Sequence, residues 1–223
     1  MCGRYTLRKS GIELAAPKTM VRSRIKPRFN IAPSQQIPVF RVGLESQLEY
    51  LTMQWGLVPA WAKESKSSYS MINARAETVR TKPSYRGPFK NRRCLISTDG
   101  WFEWQKHDQG PKQPYFFHLS DAEPFFFAGL WDHWEGKEGE EAIDSCTIIT
   151  TDANLIAEPI HQRMPVILSS KDYDAWLDPT YENTTQLEQL LIPYSSNKLT
   201  CYAVSLVVNN ARYDGQNCVV PLE

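Results

Sequence analysis

Three segments in the middle of the chain decide the fold class. Residues 93–97 read RCLIS, residues 113–119 read QPYFFHL, and residues 124–130 read PFFFAGL. Each segment is short, apolar or aromatic and lies between turn-forming residues, which is the pattern of a β-strand. Five more segments share this pattern, namely residues 37–42, 48–55, 145–151, 164–168 and 201–207. The sequence therefore predicts a protein built mainly from strands.

Helical patterns are fewer than strand patterns. We expect helices at residues 10–16, 169–176 and 184–191, and a helical turn that begins at Asp152 as its N-cap. Strands and helices do not alternate regularly along the chain. We therefore predict an α+β fold, with a mainly antiparallel β core flanked by a few helices, rather than a parallel doubly wound sheet.

Length and composition favour one compact unit. A chain of 223 residues with 42% hydrophobic content can bury a substantial core, and we expect a single domain over residues 1–223. Two polar stretches, residues 63–70 and 134–144, are predicted to be surface loops rather than linkers. The second stretch is acidic.

The charges of the chain cancel. The sequence has 25 basic and 25 acidic residues, which argues against a broadly basic protein that binds nucleic acids or membranes without specificity. Any site for a polyanion must therefore be local. No apolar run has the length of a membrane span, and the first ten residues, MCGRYTLRKS, lack the apolar stretch of a secretory signal. We expect a cytoplasmic protein.

The cysteines and histidines do not follow metal-binding patterns. The five cysteines lack a C-x-x-C spacing, and the four histidines lack an H-E-x-x-H motif. We expect neither a disulfide framework, nor a metal site, nor another cofactor.

Cys2, directly after the initiator methionine, permits chemistry that an internal cysteine cannot perform. If Met1 is removed, Cys2 carries a free α-amine beside its thiol. The α-amine has a pKa of about 8, against about 10.4 for a lysine, so more of it is nucleophilic at pH 7. A 1,2-aminothiol of this kind captures aldehydes, first as an imine and then as a five-membered thiazolidine. Position alone favours an inert, buried cysteine, so the case for this chemistry depends on the rest of the chain.

Two further segments are unusual for ordinary packing. In residues 55–61, WGLVPAW, Gly and Pro break the strand pattern, so Trp61 is a candidate for stacking on a base, whereas Trp55 is predicted to be core. In residues 73–78, NARAET, the Asn73 amide suits a sugar or carbonyl oxygen and the Arg75 guanidinium suits a phosphate. A helix cap with an Arg75–Glu77 surface pair explains the second segment equally well.

Glu103 and His161 are the titratable candidates. Glu103 lies among aromatic residues in DGWFEW, residues 99–104, and burial there would raise its pKa toward neutrality. Alternation along a strand would equally allow Glu103 to face solvent. His161 precedes Arg163 at the entrance of a predicted strand and could face a cleft, although a lone histidine is as often structural.

These segments together resemble the SRAP family, the SOS-response-associated peptidases. The resemblance covers essentially the full length and is carried by residues 1–4 (MCGR), 28–33 (RFNIAP), 55–59 (WGLVP) with Trp61, 73–75 (NAR) with Glu77 and Thr78, 100–104 (GWFEW), His161 with Arg163 and Pro165, and 207–210 (VVNN) with Cys218.

The resemblance implies an SRAP fold with a barrel-like core and a DNA-damage function. Such a protein senses abasic sites in single-stranded DNA and, after loss of Met1, forms a covalent thiazolidine crosslink through Cys2 that shields the lesion. The family is also similar to thiol peptidases that process themselves, with hydrolase and lyase-like character. The implied partner is single-stranded DNA that contains an abasic site, and the protein is expected to be a monomer.

The resemblance also implies residue roles. Glu103 resembles the acid/base of sugar-ring opening and crosslink reversal, His161 the residue that assists ring opening and imine formation, and Asn73 the group that orients the sugar or the Cys2 end. The implied DNA contacts are phosphate contacts by Arg4, Arg75 and Arg163, stacking by Trp61, and pocket shaping by Asn30 and Pro33.

Two other functions fit the same residues. In the first, the protein is a cysteine peptidase that acts on other proteins, with Cys2 as thiolate nucleophile, His161 as base and Asn73 or Glu103 as orienting group. In the second, the protein binds single strands reversibly through Trp61 and the arginines.

Overall fold

A computed structural model describes residues 2–9, 26–43, 46–65, 71–137 and 139–222. Twelve strands lie within these residues: β1 (Arg4–Leu7), β2 (Arg28–Ile31), β3 (Gln36–Val42), β4 (Leu48–Trp55), β5 (Asn73–Arg75), β6 (Arg93–Thr98), β7 (Gly100–Gln105), β8 (Gln113–Leu119), β9 (Phe125–Trp134), β10 (Ile143–Asp152), β11 (Arg163–Pro165) and β12 (Leu199–Ala203).

Five of these strands close into a barrel. The pairings run β10-β4-β3-β6-β9, and β9 pairs again with β10, so the ring has no free edge. All of these pairings are antiparallel except that of β10 with β4. The barrel is filled by apolar side chains that include Val39, Met53, Ile96 and Ile148. The predicted α+β fold with a mainly antiparallel, barrel-like core is thus confirmed.

A second, antiparallel sheet lies against the barrel. Its strand order is β12-β8-β7-β1-β2. Aromatic contacts join the two sheets, because Tyr5 of β1 packs edge-on against Trp55 of β4 and Phe127 of β9, with ring centroids 5.3 and 6.1 Å apart. Strands β1 and β7 each have a neighbouring strand on both sides, and the barrel covers the side of β1 that carries Tyr5.

The helices are short and peripheral. They are α1 (Pro83–Asn91), α2 (Tyr173–Leu177) and α3 (Thr184–Gln189). Helix α1 contains Gly87 and Pro88 and buries Tyr85, Pro88 and Phe89 against the barrel side of the molecule. No helix within the described residues is long and apolar enough to cross a membrane.

The strand predictions hold in most places. Strands β4 and β8 have the predicted bounds, and β3, β6, β9 and β10 differ from prediction only at their ends. The strand predicted at residues 201–207 is wrong in its second half, because β12 ends at Ala203 and Leu206–Asn209 forms a 3₁₀ helix. The Ser205 side chain accepts the backbone N–H of Val207 and so begins this helix.

The helix predictions are mixed. The helix at Thr184 is confirmed, and the one predicted at residues 169–176 begins as a 3₁₀ turn before α2. The turn predicted to be capped by Asp152 is wrong, because Asp152 ends β10 and Asn154 caps the next turn through the N–H groups of residues 156 and 157. The helix predicted at residues 10–16 lies outside the described residues.

Of the two predicted loops, residues 63–65 are largely exposed and residues 66–70 lie outside the described part. In the other stretch Trp134 still belongs to β9 and is buried, and its indole N–H donates to the carbonyl of Ala62 at 2.8 Å. Between Trp134 and the start of β10 at Ile143, the described residues are exposed apart from the half-buried Gly136.

Candidate active site at the amino-terminal strand

Cys2 lies at the start of β1 and is fully buried. Its thiol donates to the carbonyl oxygen of Arg4 at a sulfur–oxygen distance of 3.9 Å. Burial raises the pKa of the Cys2 thiol well above its ordinary value, and the charge of Glu103 acts in the same direction. The thiol is therefore protonated at neutral pH, and Glu103 is close enough to influence it. Met1 precedes Cys2 in the sequence, so the nitrogen of Cys2 becomes a free amine only when Met1 is removed.

Asn73 holds the backbone of Cys2. Its Nδ2 donates to the carbonyl oxygen of Cys2 at 2.9 Å. Strand β5 presents Asn73 at this place because it runs parallel to β10, with Asn73 opposite Ile148. The Asn73 Oδ1 atom is buried and has no hydrogen-bond partner among the described residues. An acceptor aimed into a buried site is suited to a hydroxyl or amine of a ligand.

Glu103 is a buried carboxylic acid beside Cys2. Strand β7 pairs with β1 such that Phe102 is opposite Arg4. Because β7 is an interior strand between β1 and β8, Glu103 is only 1% exposed. Burial raises the pKa of Glu103 from its ordinary value of 4.5 to about 7. A group with this pKa exchanges protons in either direction at neutral pH. Of the two orientations that the sequence allowed, the structure has the buried one.

His161 lies on the neighbouring loop. The Gln105 side chain at the end of β7 donates to the carbonyl of Pro159 at 3.0 Å and joins β7 to this loop. The backbone N–H of Arg163 donates to Nδ1 of His161 at 3.0 Å. Burial lowers the pKa of His161 below its ordinary value, so the ring is neutral at pH 7. The same Nδ1 lies 3.2 Å from the carbonyl oxygen of Arg163, to which it could donate only if it carried the proton. The shorter contact, in which Nδ1 accepts, places the proton of the neutral ring on Nε2.

Arg4 and Asn30 are used inside the protein. Arg4 donates from Nη1 to Asn30 Oδ1 at 3.0 Å and to the carbonyl of Val208 at 2.6 Å, and from Nη2 to the carbonyl of Asn209 at 3.4 Å. Asn30 is fully buried, and its Nδ2 contacts the carbonyls of Val208, Asn210 and Tyr213. This network fixes the C-terminal segment 208–213 onto β1 and β2. DNA contact by either residue stays a prediction.

Arg163 is also committed to internal partners. Its guanidinium forms ion pairs with Glu77 at 2.7 and 3.0 Å and with Asp152 at 2.7 Å, and it donates to the carbonyl of Thr150 at 2.7 Å. Glu77 therefore pairs with Arg163, and the alternative Arg75–Glu77 surface pair is not formed. Phosphate contact by Arg163 likewise stays a prediction, and it would require exchange of these acceptors.

Arg75, Trp61 and Pro33 are available to a ligand. Arg75 is exposed and forms no side-chain hydrogen bond or ion pair within the described residues. Trp61 is 64% exposed, whereas Trp55 is buried, as the sequence predicts for both. Pro33 is half-buried and follows β2 after one residue.

Sequence reasoning missed the residues that hold the amino-terminal strand in place. These are Val208, Asn209 and Asp214, of which Asp214 accepts the backbone N–H groups of Phe29 and Asn30 at 2.5 and 2.7 Å. The only sequence signal was the VVNN segment at residues 207–210, whose role was not evident without the fold. Across the part of the chain that the structure describes, no group of three His, Cys, Asp or Glu side chains could hold a metal ion.

A family model described as SOS response associated peptidase (SRAP) matches residues 1–211. The chain belongs to the SRAP family. It is 39% identical over 217 residues to a Bacillus subtilis protein named abasic site processing protein YoqW, with 95% of this chain and 96% of the relative covered. It is 34% identical to the chicken (Gallus gallus) abasic site processing protein HMCES, with 93% of this chain and 70% of the relative covered.

The fold is shared with solved structures. A crystal structure of a Bacteroides thetaiotaomicron protein superposes with a TM-score of 0.85 at 25% identity, and 100% of each chain is covered. A second, from Bordetella bronchiseptica, has a TM-score of 0.75 at 27% identity and covers 92% of this chain.

Proposed function

We propose that this SRAP protein processes abasic sites in single-stranded DNA and links to them covalently through Cys2. The names of its relatives support the processing of abasic sites. The observation that supports the covalent step best is the convergence of Asn73 and Glu103 on the first residue that can carry a free amine and a thiol.

The proposed reaction begins with the opened sugar of the abasic site, which is an aldehyde. After Met1 is removed, the α-amine of Cys2 attacks the carbonyl carbon, and loss of one water gives an imine. The Cys2 sulfur then adds to the imine carbon, and the thiol proton is transferred to the imine nitrogen. One C–N and one C–S bond form, and one water leaves.

Glu103 and His161 supply the proton transfers in this proposal. Since the pKa of Glu103 is about 7, it can protonate the departing hydroxyl and then accept the thiol proton. The neutral His161, with its ring proton on Nε2, can donate a hydrogen bond to a sugar oxygen and so polarise the sugar during ring opening. The unpartnered Oδ1 of Asn73 can accept from the new amine or from a sugar hydroxyl.

The pKa of Cys2 disfavours the peptidase alternative. A peptidase needs a thiolate as its nucleophile, but burial keeps the Cys2 thiol protonated. The Cys2 thiol donates to a backbone carbonyl. In the aldehyde reaction the amine attacks first, so a protonated thiol is the correct starting state.

The test is incubation of the Met1-free protein with a single-stranded oligonucleotide that contains one abasic site. We expect a denaturant-resistant adduct whose mass is the sum of the two components less one water. Cys2→Ser keeps the amine but lacks the thiol, so it should give a species that survives denaturation only after borohydride reduction.

Two controls separate the alternatives. Acetylation of the α-amine should abolish the adduct, whereas a thiolate peptidase would keep its activity. Recovery of free protein only, or an adduct with Cys2→Ala as abundant as with the wild type, would overturn the proposal. Reversible binding without any adduct would favour the single-strand binding module.

A further inference from the structure

The exposed face of helix α1 carries a row of cations that have no side-chain partners in the described part of the chain. Lys82 precedes the helix, and Arg86 and Lys90 follow at intervals of four residues, which places the three side chains in one line. All three are exposed, and none forms a side-chain hydrogen bond or ion pair within the described residues. At a rise of about 1.5 Å per residue, the row extends over about 12 Å.

The row is not needed to stabilise the helix. The carbonyl oxygens in the last turn of the helix accept hydrogen bonds from the buried Arg93 instead. Its Nη1 contacts the carbonyl oxygen of Lys90 and, at 2.8 Å, that of Phe89. Lys82 lies at the N-cap, where a cation is unfavourable because the helix dipole is positive there. No Asp or Glu occurs between Val79 and Arg93.

Two acidic residues that could pair with this segment are already engaged. Glu77 is paired with Arg163, and Glu188 is paired with Arg80 at 2.7 Å. In a chain with no net charge, this leaves a concentrated positive surface. A local surface of this kind attracts a polyanion.

The helix is attached directly to the candidate active site. The hydroxyl of Tyr85, on the buried face of α1, donates to the carbonyl of Asn73 at 3.3 Å. Asn73 holds Cys2, and Arg75, two residues later on the same face of β5, is exposed and unpaired. A polyanion bound at Arg75 can therefore continue onto α1.

We propose that Lys82, Arg86 and Lys90 bind the phosphate backbone of the DNA that flanks the lesion. This inference rests on the DNA-binding part of the proposed function. The contacts are to phosphates only, so they are independent of the lesion and of base sequence. They hold the DNA while the chemistry proceeds at Cys2.

The test compares the double variant Lys82→Gln/Lys90→Gln with the control Lys171→Gln/Lys198→Gln, which removes the same charge from two other exposed lysines. Affinity for an undamaged oligonucleotide is measured between 50 and 200 mM salt. Two phosphate contacts contribute about 1.4 to the log–log salt slope for a single strand. Between 50 and 200 mM salt, the affinity of the control should therefore fall by a factor about seven times larger than the affinity of the α1 variant.

A second substrate, with a duplex arm beside the single strand, identifies the bound backbone. A slope change of about 1.8 that occurs only with this substrate would assign the row to duplex DNA. Equal slopes for the α1 variant and the control on both substrates would overturn the inference.

The rate of adduct formation at saturating abasic DNA separates phosphate binding by α1 from the covalent reaction at Cys2. We expect the control variant to keep the wild-type rate, and the α1 variant still to form the adduct because Cys2, Asn73 and Glu103 are intact. If no protein forms an adduct but the slopes differ, only the covalent proposal fails.

Discussion

Arg4 and Arg75 have the same side chain and opposite surroundings. Arg4, on β1, donates to Asn30 and to two carbonyls of the C-terminal segment, whereas Arg75, at the end of β5, is exposed and unpaired. The first region is a buried network that fixes the strand carrying Cys2. The second lies on β5, which the Tyr85 hydroxyl of α1 contacts at the Asn73 carbonyl. Reactive groups that must be held and cations that must reach a ligand thus lie in separate regions.

The buried region should show the largest effects, beginning with Glu103. Glu103→Gln keeps the shape but cannot exchange protons, so adduct formation should slow by about 10²–10⁴-fold. The single-turnover rate of the wild type should change with pH around about 7, since that is the pKa of the buried carboxyl. The variant should lose this dependence.

Glu158→Gln is the matched control, because Glu158 is an exposed carboxylate on the loop before His161. It should behave as the wild type. A Glu103→Gln rate within twofold of the wild type, or the same pH profile, would remove Glu103 from the chemistry.

The same carboxyl should make stability depend on pH. In the folded state Glu103 keeps its proton up to a pH of about 7, but in the unfolded chain only up to about 4.5. Its favourable contribution is complete below pH 4.5 and is lost as the pH rises through 7, with a total of about 3 kcal/mol.

Urea unfolding at pH 5 and pH 8 measures this contribution. Relative to the wild type, Glu103→Gln should gain about 3 kcal/mol more stability at pH 8 than at pH 5, an order-of-magnitude value. A stability difference that is the same at both pH values would show that the folded protein does not raise the pKa of Glu103.

Arg4 tests whether the buried network positions Cys2. Arg4→Gln removes the donor to Oδ1 of the fully buried Asn30 and one of the two donors to the Val208 carbonyl, which should lower the free energy of unfolding by about 1–3 kcal/mol. We also expect slower adduct formation, because β1 carries Cys2. The salt slope of DNA binding tests the predicted phosphate contact separately, because an unchanged slope would leave Arg4 a structural role only.

Arg4→Lys separates charge from geometry. A lysine keeps the charge but lacks the planar fork that reaches three acceptors, so it should restore little of the stability. If instead Arg4→Gln lowers the salt slope by about 0.7 and unfolds like the wild type, Arg4 is a phosphate ligand.

The sequence predicts the long strands better than the short strand β1 and the helix α1. The segment 48–55 is rich in apolar and aromatic residues and forms β4 with the predicted bounds, but β1 is only four residues long and was not predicted. Helix α1 was missed because it contains Gly87 and Pro88, which are unfavourable in a helix interior. It forms because Tyr85 and Phe89 are buried, and tertiary packing outweighs local propensity.

The site shows the same limit. Cys2, Asn73, Glu103 and His161 could be named from chemistry and motif, but the period of a strand does not say which of its faces is covered. The burial of Glu103 depends on the neighbouring strands β1 and β8. The acceptors of Arg4 lie 204 and 205 residues further along the chain, so no local pattern could assign its partners.

Arg75 gives the smallest expected effect and the sharpest contrast with Arg4. Arg75→Gln should reduce the salt slope for single-stranded DNA by about 0.7, the value for one phosphate contact, and leave urea unfolding unchanged, because Arg75 holds nothing in place. Arg75→Lys should keep the slope, since a phosphate accepts either cation. A loss of stability with Arg75→Gln, or an unchanged salt slope, would mean that exposure does not distinguish the DNA-binding arginine from the structural one.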